Sequence, residues 1–272
     1  MDTMEKQRIL LQQYLTTAQA SLSEKPEGKL LICRNRSHDQ YYCKPNPVEN
    51  KRIYIPKTNL SLIKNLAQKD YDLLFIRTVE KLVFETEDLI NRNLCRDIHD
   101  FYQALAKVYT DLSPSRKILV TPYVPPDDMF VQEWKNKFYL GKSFSENAAR
   151  IVTENNELVR SKSEKIIADK LRLLGIPYRY EYPLRTRLLG LVFPDFTLLD
   201  VWSREEVIFE HFGRLHQEGY RDETVLKIIA YSQEGYYIGK GFLFTMESDN
   251  QPLDTEYLKQ LLLTRFPHIR QY

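Results

Sequence analysis

The stretch spanning residues 192–213, VFPDFTLLDVWSREEVIFEHFG, constrains this chain more than any other. Two short apolar segments, 192–199 and 207–212, each carry one acid, Asp195 and Glu210. Residues 200–206 between them are polar and turn-like, so the pattern predicts an antiparallel hairpin. A carboxylate inside an apolar strand is costly to desolvate unless a cation or hydrogen-bond donors receive it. Two such carboxylates brought side by side repel each other, and a divalent cation is the usual remedy.

Composition sets the frame for that hairpin. A chain of 272 residues holds one large domain or two modest ones and is long enough to bury a real core. The formal net charge of +2 is nearly neutral, so nucleic-acid binding cannot rest on bulk charge and needs local patches. No apolar run approaches the roughly 20 residues needed to span a bilayer, so no membrane association is expected. The start, MDTMEKQRILLQQYL, has a mixed-charge helical pattern and not the basic start and apolar core of a signal peptide. Three cysteines, Cys33, Cys43 and Cys95, are few and odd in number, which fits a reducing, cytoplasmic location.

The periodicity predicts a helix over 4–23, stopped by Pro26 and Gly28. From Lys29 the runs LLICRN, YYCKP and RIYIP predict a small antiparallel meander with a turn over 37–40. Residues 59–67, 71–90 and 94–108 read as three helices. The segment 111–138 contains Pro114, Pro122, Pro125 and Pro126 and is expected to run in extended form, anchored by Trp134. Cys33, His38 and Cys43 match none of the short paired metal-ligand patterns. Lys29, Arg34, Arg36, Lys44, Lys51, Arg52 and Lys57, interleaved with Tyr41, Tyr42 and Tyr54, give the meander a mix suited to phosphate contact and base stacking. The same mix also describes an ordinary solvated sheet face. Residues 1–142 thus form a mainly helical region with a small meander, a candidate for nucleic-acid or partner recognition, and 143–157 is a polar connection.

The order changes over 158–272. RSKSEKIIADKLRLLGI predicts an amphipathic helix with Ile166, Ile167, Leu171, Leu174 and Leu173 on its apolar side and Gly175 as its C-terminal cap. Glu164 lies on or beside that side. PYRYEYPL follows as a strand with alternating Tyr178, Tyr180 and Tyr182, then a basic loop with Arg185 and Arg187, then the hairpin. Residues 221–233 read as a helix, GFLFTM as a buried strand and 254–264 as a closing helix. Helix, three strands, helix, strand, helix is a mixed α/β layer fold, with a sheet covered by helices.

This order resembles the PD-(D/E)XK nuclease superfamily over about residues 158–247. The resemblance is carried by a helix bearing Glu164, by Pro194-Asp195-Phe196 at a bent second strand, and by Glu210 in the third. The strings SEKIIADKLRLLGIPYRYEYPL, FPDFTLLD and FEHFG look like the branch found in bacterial nucleases and in domains appended to helicases. The resemblance implies a restriction-endonuclease-like sheet and Mg²⁺-dependent phosphodiester hydrolysis, with Mn²⁺ as a substitute metal and DNA favoured over RNA as substrate. It implies Asp195 and Glu210 as metal ligands, with Glu164 holding a metal-bound water or a second ion. A homodimer would be needed to cut both strands symmetrically, and a helicase or mobile-element partner follows from the same branch.

The pattern is broken at one position. The family places a lysine two residues after the second acid, where this chain has Phe212. That lysine orients or deprotonates the attacking water and stabilises developing charge. Lys227, one helical turn from Tyr231, is the expected substitute, and related sequences of the FEHFG type resemble this one in carrying a Lys and Tyr there. His211 is the other candidate, but strand alternation points it away from the face that carries Glu210. The missing lysine leaves open a different class of protein, a catalytically inactive nuclease fold that binds nucleic acid or a protein partner. Arg185, Arg187 and His216 are candidate backbone contacts or solvated loop residues, and Trp202 and Tyr220 are read as packing residues. The absence of a GxxxxGK[ST] loop excludes nucleotide hydrolysis by that route.

Overall fold

A computed structural model describes residues 3–35, 38–46, 51–92, 94, 96–144, 150–248 and 250–269. Cys95, Arg36, Ser37 and residues 145–149 of the polar connection lie outside the described residues. The chain is a mixed α/β protein that divides into two compact units, Met1–Phe130 and Val131–Tyr272. No helix among the described residues is long and apolar enough to cross a membrane.

The N-terminal unit begins with α1 (Thr3–Ser23), followed by the meander β1 (Lys29–Asn35), β2 (His38–Lys44) and β3 (Ile53–Ile55), antiparallel throughout. Alternation along these strands puts Leu30, Tyr41 and Ile55 inward, each under 9% exposed. Cys33 lies opposite Gln40 and Cys43 opposite Leu30, so the two cysteines point to opposite faces and are both free thiols. The two helices expected over 59–67 and 71–90 are one, α2 (Leu60–Asn91), with Asn59 capping its first turn through Leu62 N at 3.3 Å. Residues 68–70 contain no Gly or Pro to break it, and Gln68 bonds onward to Asp72. α3 (Ile98–Thr110) packs against it, and the core gathers Leu11, Leu30, Leu66, Phe75, Phe101 and Leu105.

The Pro-rich segment is less extended than its composition suggests. It holds a single turn, α4 (Pro114–Lys117), and a ten-residue helix, α5 (Asp127–Asn136). Pro125 and Pro126 immediately precede α5, where a missing N–H costs a helix nothing. Trp134 is buried, as expected of an anchor: within the C-terminal unit its indole N–H donates to Glu206 at 2.7 Å, and the Arg179 guanidinium lies 4.0 Å over its ring.

The C-terminal unit has a short pair, β4 (Ile151–Val152) and β5 (Leu158–Val159), then α6 (Lys162–Leu173). Ile167, Ala168 and Leu171 face inward, whereas Ile166 and Leu173, expected on the apolar side, are 39% and 70% exposed. Gly175, at φ +70°, turns the chain out of α6 in the left-handed region that favours glycine. β6 (Tyr178–Tyr180) is shorter than predicted, because Glu181 adopts φ +46° and takes Tyr182 off the strand. The expected basic loop is a hairpin, β7 (Leu184–Thr186) and β8 (Gly190–Val192). β9 (Phe196–Asp200) and β10 (Glu205–Phe212) pair antiparallel as the sequence predicts, and α7 (Glu218–Gln233) leads to β11 (Phe242–Met246), which pairs parallel with β10. α8 (Thr255–Arg265) closes the unit, capped by Asp254.

The sheet order is β11-β10-β9-β6. One face, through Phe196, Leu198, Val207 and Phe209, packs with Ile167 and Leu171 of α6 and Leu258 and Leu262 of α8. The other, through Ile208, Phe212 and Phe242, packs against Tyr231 of α7. This two-sided burial explains why β10 reads as a continuous apolar run and not as an alternation.

Candidate functional site

Asp195 sits one residue before β9, fixed by the preceding Pro194. The β9–β10 ladder ends at the Phe196–Phe209 pair. Beyond it the His211 backbone N–H donates to Asp195 Oδ2 at 2.7 Å, so the carboxylate takes over from the missing strand. Glu210 lies between Ile208 and Phe212 on β10 and therefore faces α7. It is 1% exposed, and its carboxylate is received by two side chains one turn apart on that helix. Tyr231 donates its hydroxyl to Oε1 at 2.5 Å, and Lys227 Nζ donates to Oε1 at 3.1 Å and Oε2 at 3.2 Å.

The electrostatics of this cluster are strongly perturbed. Burial, reinforced by the neighbouring Glu210 carboxylate, raises the Asp195 carboxyl well above the usual range, against the opposing pull of the His211 N–H and Lys227. Burial alone would lower the Lys227 ammonium, but Glu210 and Asp195 more than offset it and raise it. Burial and Glu210 raise the Tyr231 phenol, and burial followed by Asp195 raises Tyr220. Lys227 stays one third exposed, so its charge is accessible from outside.

Glu164 is placed differently. Its Oε2 accepts the Arg160 N–H at 2.8 Å and the Tyr180 hydroxyl at 2.7 Å, while Ser161 Oγ accepts the Glu164 N–H at 3.1 Å. This is a form of the Ser-x-x-Glu capping box, legible in the sequence as Ser161 to Glu164. Tyr180 packs on Phe196, on the α6 face of the sheet, opposite the face that carries Glu210. Glu164 is still within electrostatic reach of Asp195. Among the described residues no group of three or more His, Cys, Asp and Glu side chains stands ready to hold a metal ion.

His211 points away from Glu210, as alternation requires. Its Nδ1 lies 2.9 Å from Thr245 Oγ1 on β11 and its Nε2 3.4 Å from Glu247. Phe212 is 2% exposed and packs with Tyr231, Phe242 and Phe244. Thr245 and Glu247 gave no sequence signal, since only the strand pairing brings them to His211. Arg187 is a surface residue 3.8 Å from Glu234, His216 is exposed, and Trp202 stacks on His268 with centroids 3.8 Å apart.

No family model and no solved structure matches this chain. It is 37% identical over 92 residues to a Methanocaldococcus jannaschii protein named "Uncharacterized protein MJ1519". The similarity covers 34% of this chain and 8% of that relative's length.

Proposed function

We propose that the C-terminal unit is a metal-dependent nuclease of restriction-endonuclease-like arrangement, hydrolysing phosphodiester bonds in DNA in preference to RNA. The observation that carries this reading is the pairing of two crowded carboxylates, Asp195 and Glu210, with a lysine held by one of them. The donor set suits a hard divalent cation, because magnesium takes one or two carboxylates and keeps several waters. Asp195 and Glu210 would hold it, and Glu164 is a further candidate through the oxygen that Tyr180 and Arg160 leave free. Bound there, Mg²⁺ or Mn²⁺ supplies an activated water and neutralises charge on the phosphate.

The remaining work falls to the chain itself. Lys227, locked to both oxygens of Glu210 yet one third exposed, presents a fixed ammonium that donates to an anionic phosphate oxygen or to the attacking water. Tyr231 keeps the Glu210 carboxylate in one orientation, and the His211 N–H does the same for Asp195. His211 itself acts as a positioning residue through its backbone, its ring being engaged with β11. A homodimer, or a helicase or mobile-element partner, would supply the second active site or the substrate strand.

A second reading is favoured by a specific observation. Lys227 is already ion-paired and no three-acid cluster is preassembled among the described residues, which suits an inactive nuclease fold that binds nucleic acid or protein. One experiment separates the two. The protein is incubated with single- and double-stranded DNA and RNA in Mg²⁺, Mn²⁺ or EDTA, beside Asp195→Ala and Glu210→Ala. Cleavage that needs metal and disappears in both variants is expected. No metal-dependent cleavage, or cleavage surviving both substitutions, overturns the enzyme reading.

A further inference from the structure

The N-terminal unit carries a feature that the carboxylate site does not use. A cavity of about 930 Å³ opens between the β1–β2 ladder, α2, Leu112 and Arg116 of α4. Its walls hold five cations, Lys29, Lys44, Lys69, Arg77 and Arg116, against two acids, Glu27 and Asp70. Arg116 is taken up by Asp70 at 2.9 Å and by the Leu30 carbonyl at 2.7 Å. Lys69 donates to the carbonyls of Pro26 and Gly28 at 2.9 and 3.2 Å, which fixes its position, and it forms no salt bridge among the described residues. Lys29, Lys44 and Arg77 take part in no salt bridge among the described residues.

The strand register makes this arrangement pointed. Lys29 and Lys44 are direct cross-strand partners, an arrangement of like charges that costs stability in the free protein. The same outer face continues with Leu31 opposite Tyr42, and Tyr42 opposite Tyr54. The two tyrosines meet edge to face with centroids 5.6 Å apart, and Tyr54 is 54% exposed. Exposed Lys51 and Arg52 lie just before Tyr54. One face thus runs from a cation-rich cavity onto an aromatic pair and back to cations.

We propose that this face binds single-stranded nucleic acid, with phosphates at the Lys29, Lys44 and Arg77 mouth and bases stacked on Tyr42 and Tyr54. Unpaired bases offer the π-faces that a solvent-facing tyrosine pair can take, whereas a duplex keeps its bases stacked inside. A bound phosphate relieves the Lys29–Lys44 repulsion, so complementarity of charge is built into the ladder. The inference rests on the nuclease reading only for the choice of nucleic acid as the ligand class, and binding is measurable without cleavage.

The test is fluorescence anisotropy of the full chain with labelled single-stranded DNA in EDTA, over a range of salt concentrations. Duplex DNA, single-stranded RNA and poly-glutamate serve as competitors. Affinity is expected to fall with salt, with a log–log slope of about −0.7 for each phosphate contacted. Tyr54→Ala is expected to weaken binding about tenfold, as loss of one stacked base does. Lys44→Glu and Arg77→Glu should weaken it further and flatten the salt slope, while Lys135→Glu in the C-terminal unit should leave it unchanged. Circular dichroism checks that each variant is folded, and Lys44→Glu should be at least as stable as the parent because it removes a like-charge pair. Absence of binding, binding indifferent to Tyr54 and Lys44, or equal competition by duplex or poly-glutamate overturns the proposal. Because metal is absent, failure here leaves the cleavage test untouched, and failure of cleavage leaves this one untouched.

Discussion

Each unit of the protein buries a carboxylate almost completely, and the two are treated in opposite ways. Asp72 of α2 is 0% exposed and accepts hydrogen bonds from Ser21 at 2.9 Å, Gln68 at 2.9 Å and Tyr123 at 3.1 Å. All three donors are neutral and belong to the same unit. Glu210 of β10 is 1% exposed, and it has a cation, Lys227, on both oxygens and a second carboxylate, Asp195, within electrostatic reach. A carboxylate satisfied by neutral donors alone ties elements of a core together. A carboxylate that shares its surroundings with another acid and a partly exposed lysine holds charge ready for a ligand.

Breaking each in turn should separate structure from chemistry. Glu210→Gln is expected to reduce metal-dependent cleavage below detection while the protein stays folded, measured by gel assay and circular dichroism. Asp72→Ala should do the reverse. It leaves three half-buried donors without their acceptor and should cost about 3 kcal/mol of stability in urea unfolding, with cleavage per folded molecule unchanged. Loss of activity without loss of fold in Asp72→Ala would erase the distinction. Lys227→Met comes next: by removing the only cation on Glu210 among the described residues, it should lower cleavage about a hundredfold or more. Its pH profile should change with it, which a purely structural role would not produce.

The contrast between the two acids was only half legible in the sequence. Asp195 and Glu210 stand out because acids are rare inside runs such as VFPDFTLL and VIFEHF, and the hairpin between them follows from the polar break over 200–206. Lys227 and Tyr231 share one helical face in the sequence, and both reach Glu210, a meeting the sequence did not specify for Tyr231. Asp72 gave no signal, since an acid in a 32-residue helix reads as surface until Ser21 and Tyr123, roughly fifty residues away on either side, are seen to meet it. Glu164 was read through the resemblance, whereas the local Ser161-x-x-Glu164 pattern also marks a helix cap. Phe212 has a physical reason the sequence hid: it fills the apolar cluster under α7, where a lysine would bury its ammonium among Tyr231, Phe242 and Phe244. The merged α2 and the helix within the Pro-rich segment follow from where the breakers stand: none interrupts residues 68–70, and Pro125 and Pro126 precede α5 without entering it.

The comparison also has a pH signature. Asp195 has an ordinary carboxyl pKa of 3.8 in the unfolded chain and a higher one in the folded protein, because burial and Glu210 oppose its ionisation. The folded state therefore binds more protons than the unfolded one above about pH 4, and stability falls as pH rises through that window. In EDTA the melting temperature should drop as pH rises from 4 toward the raised value. Asp195→Asn should reduce that slope, leaving the part due to Asp70, whose carboxyl burial also raises, and Mg²⁺ should reduce it likewise if Asp195 and Glu210 hold it. A slope unchanged in Asp195→Asn would place its origin elsewhere.

The smallest effect is the most discriminating. Tyr231→Phe deletes one hydroxyl from the Glu210 cluster and leaves the ring, which packs at 5.3 Å from Phe242, in place. Losing a hydrogen bond to a buried carboxylate should cost about 1.5 kcal/mol of stability. If the hydroxyl serves only the core, as Tyr123 serves Asp72, the loss ends there, and the matching Tyr123→Phe gives the same stability change with full activity. If it orients Glu210 for a metal and for Lys227, Tyr231→Phe should also raise the Mg²⁺ concentration needed for half-maximal cleavage, whereas Tyr123→Phe should not. Equal metal requirements in the two variants would mean that Glu210 is held in place by Lys227 and the strand alone.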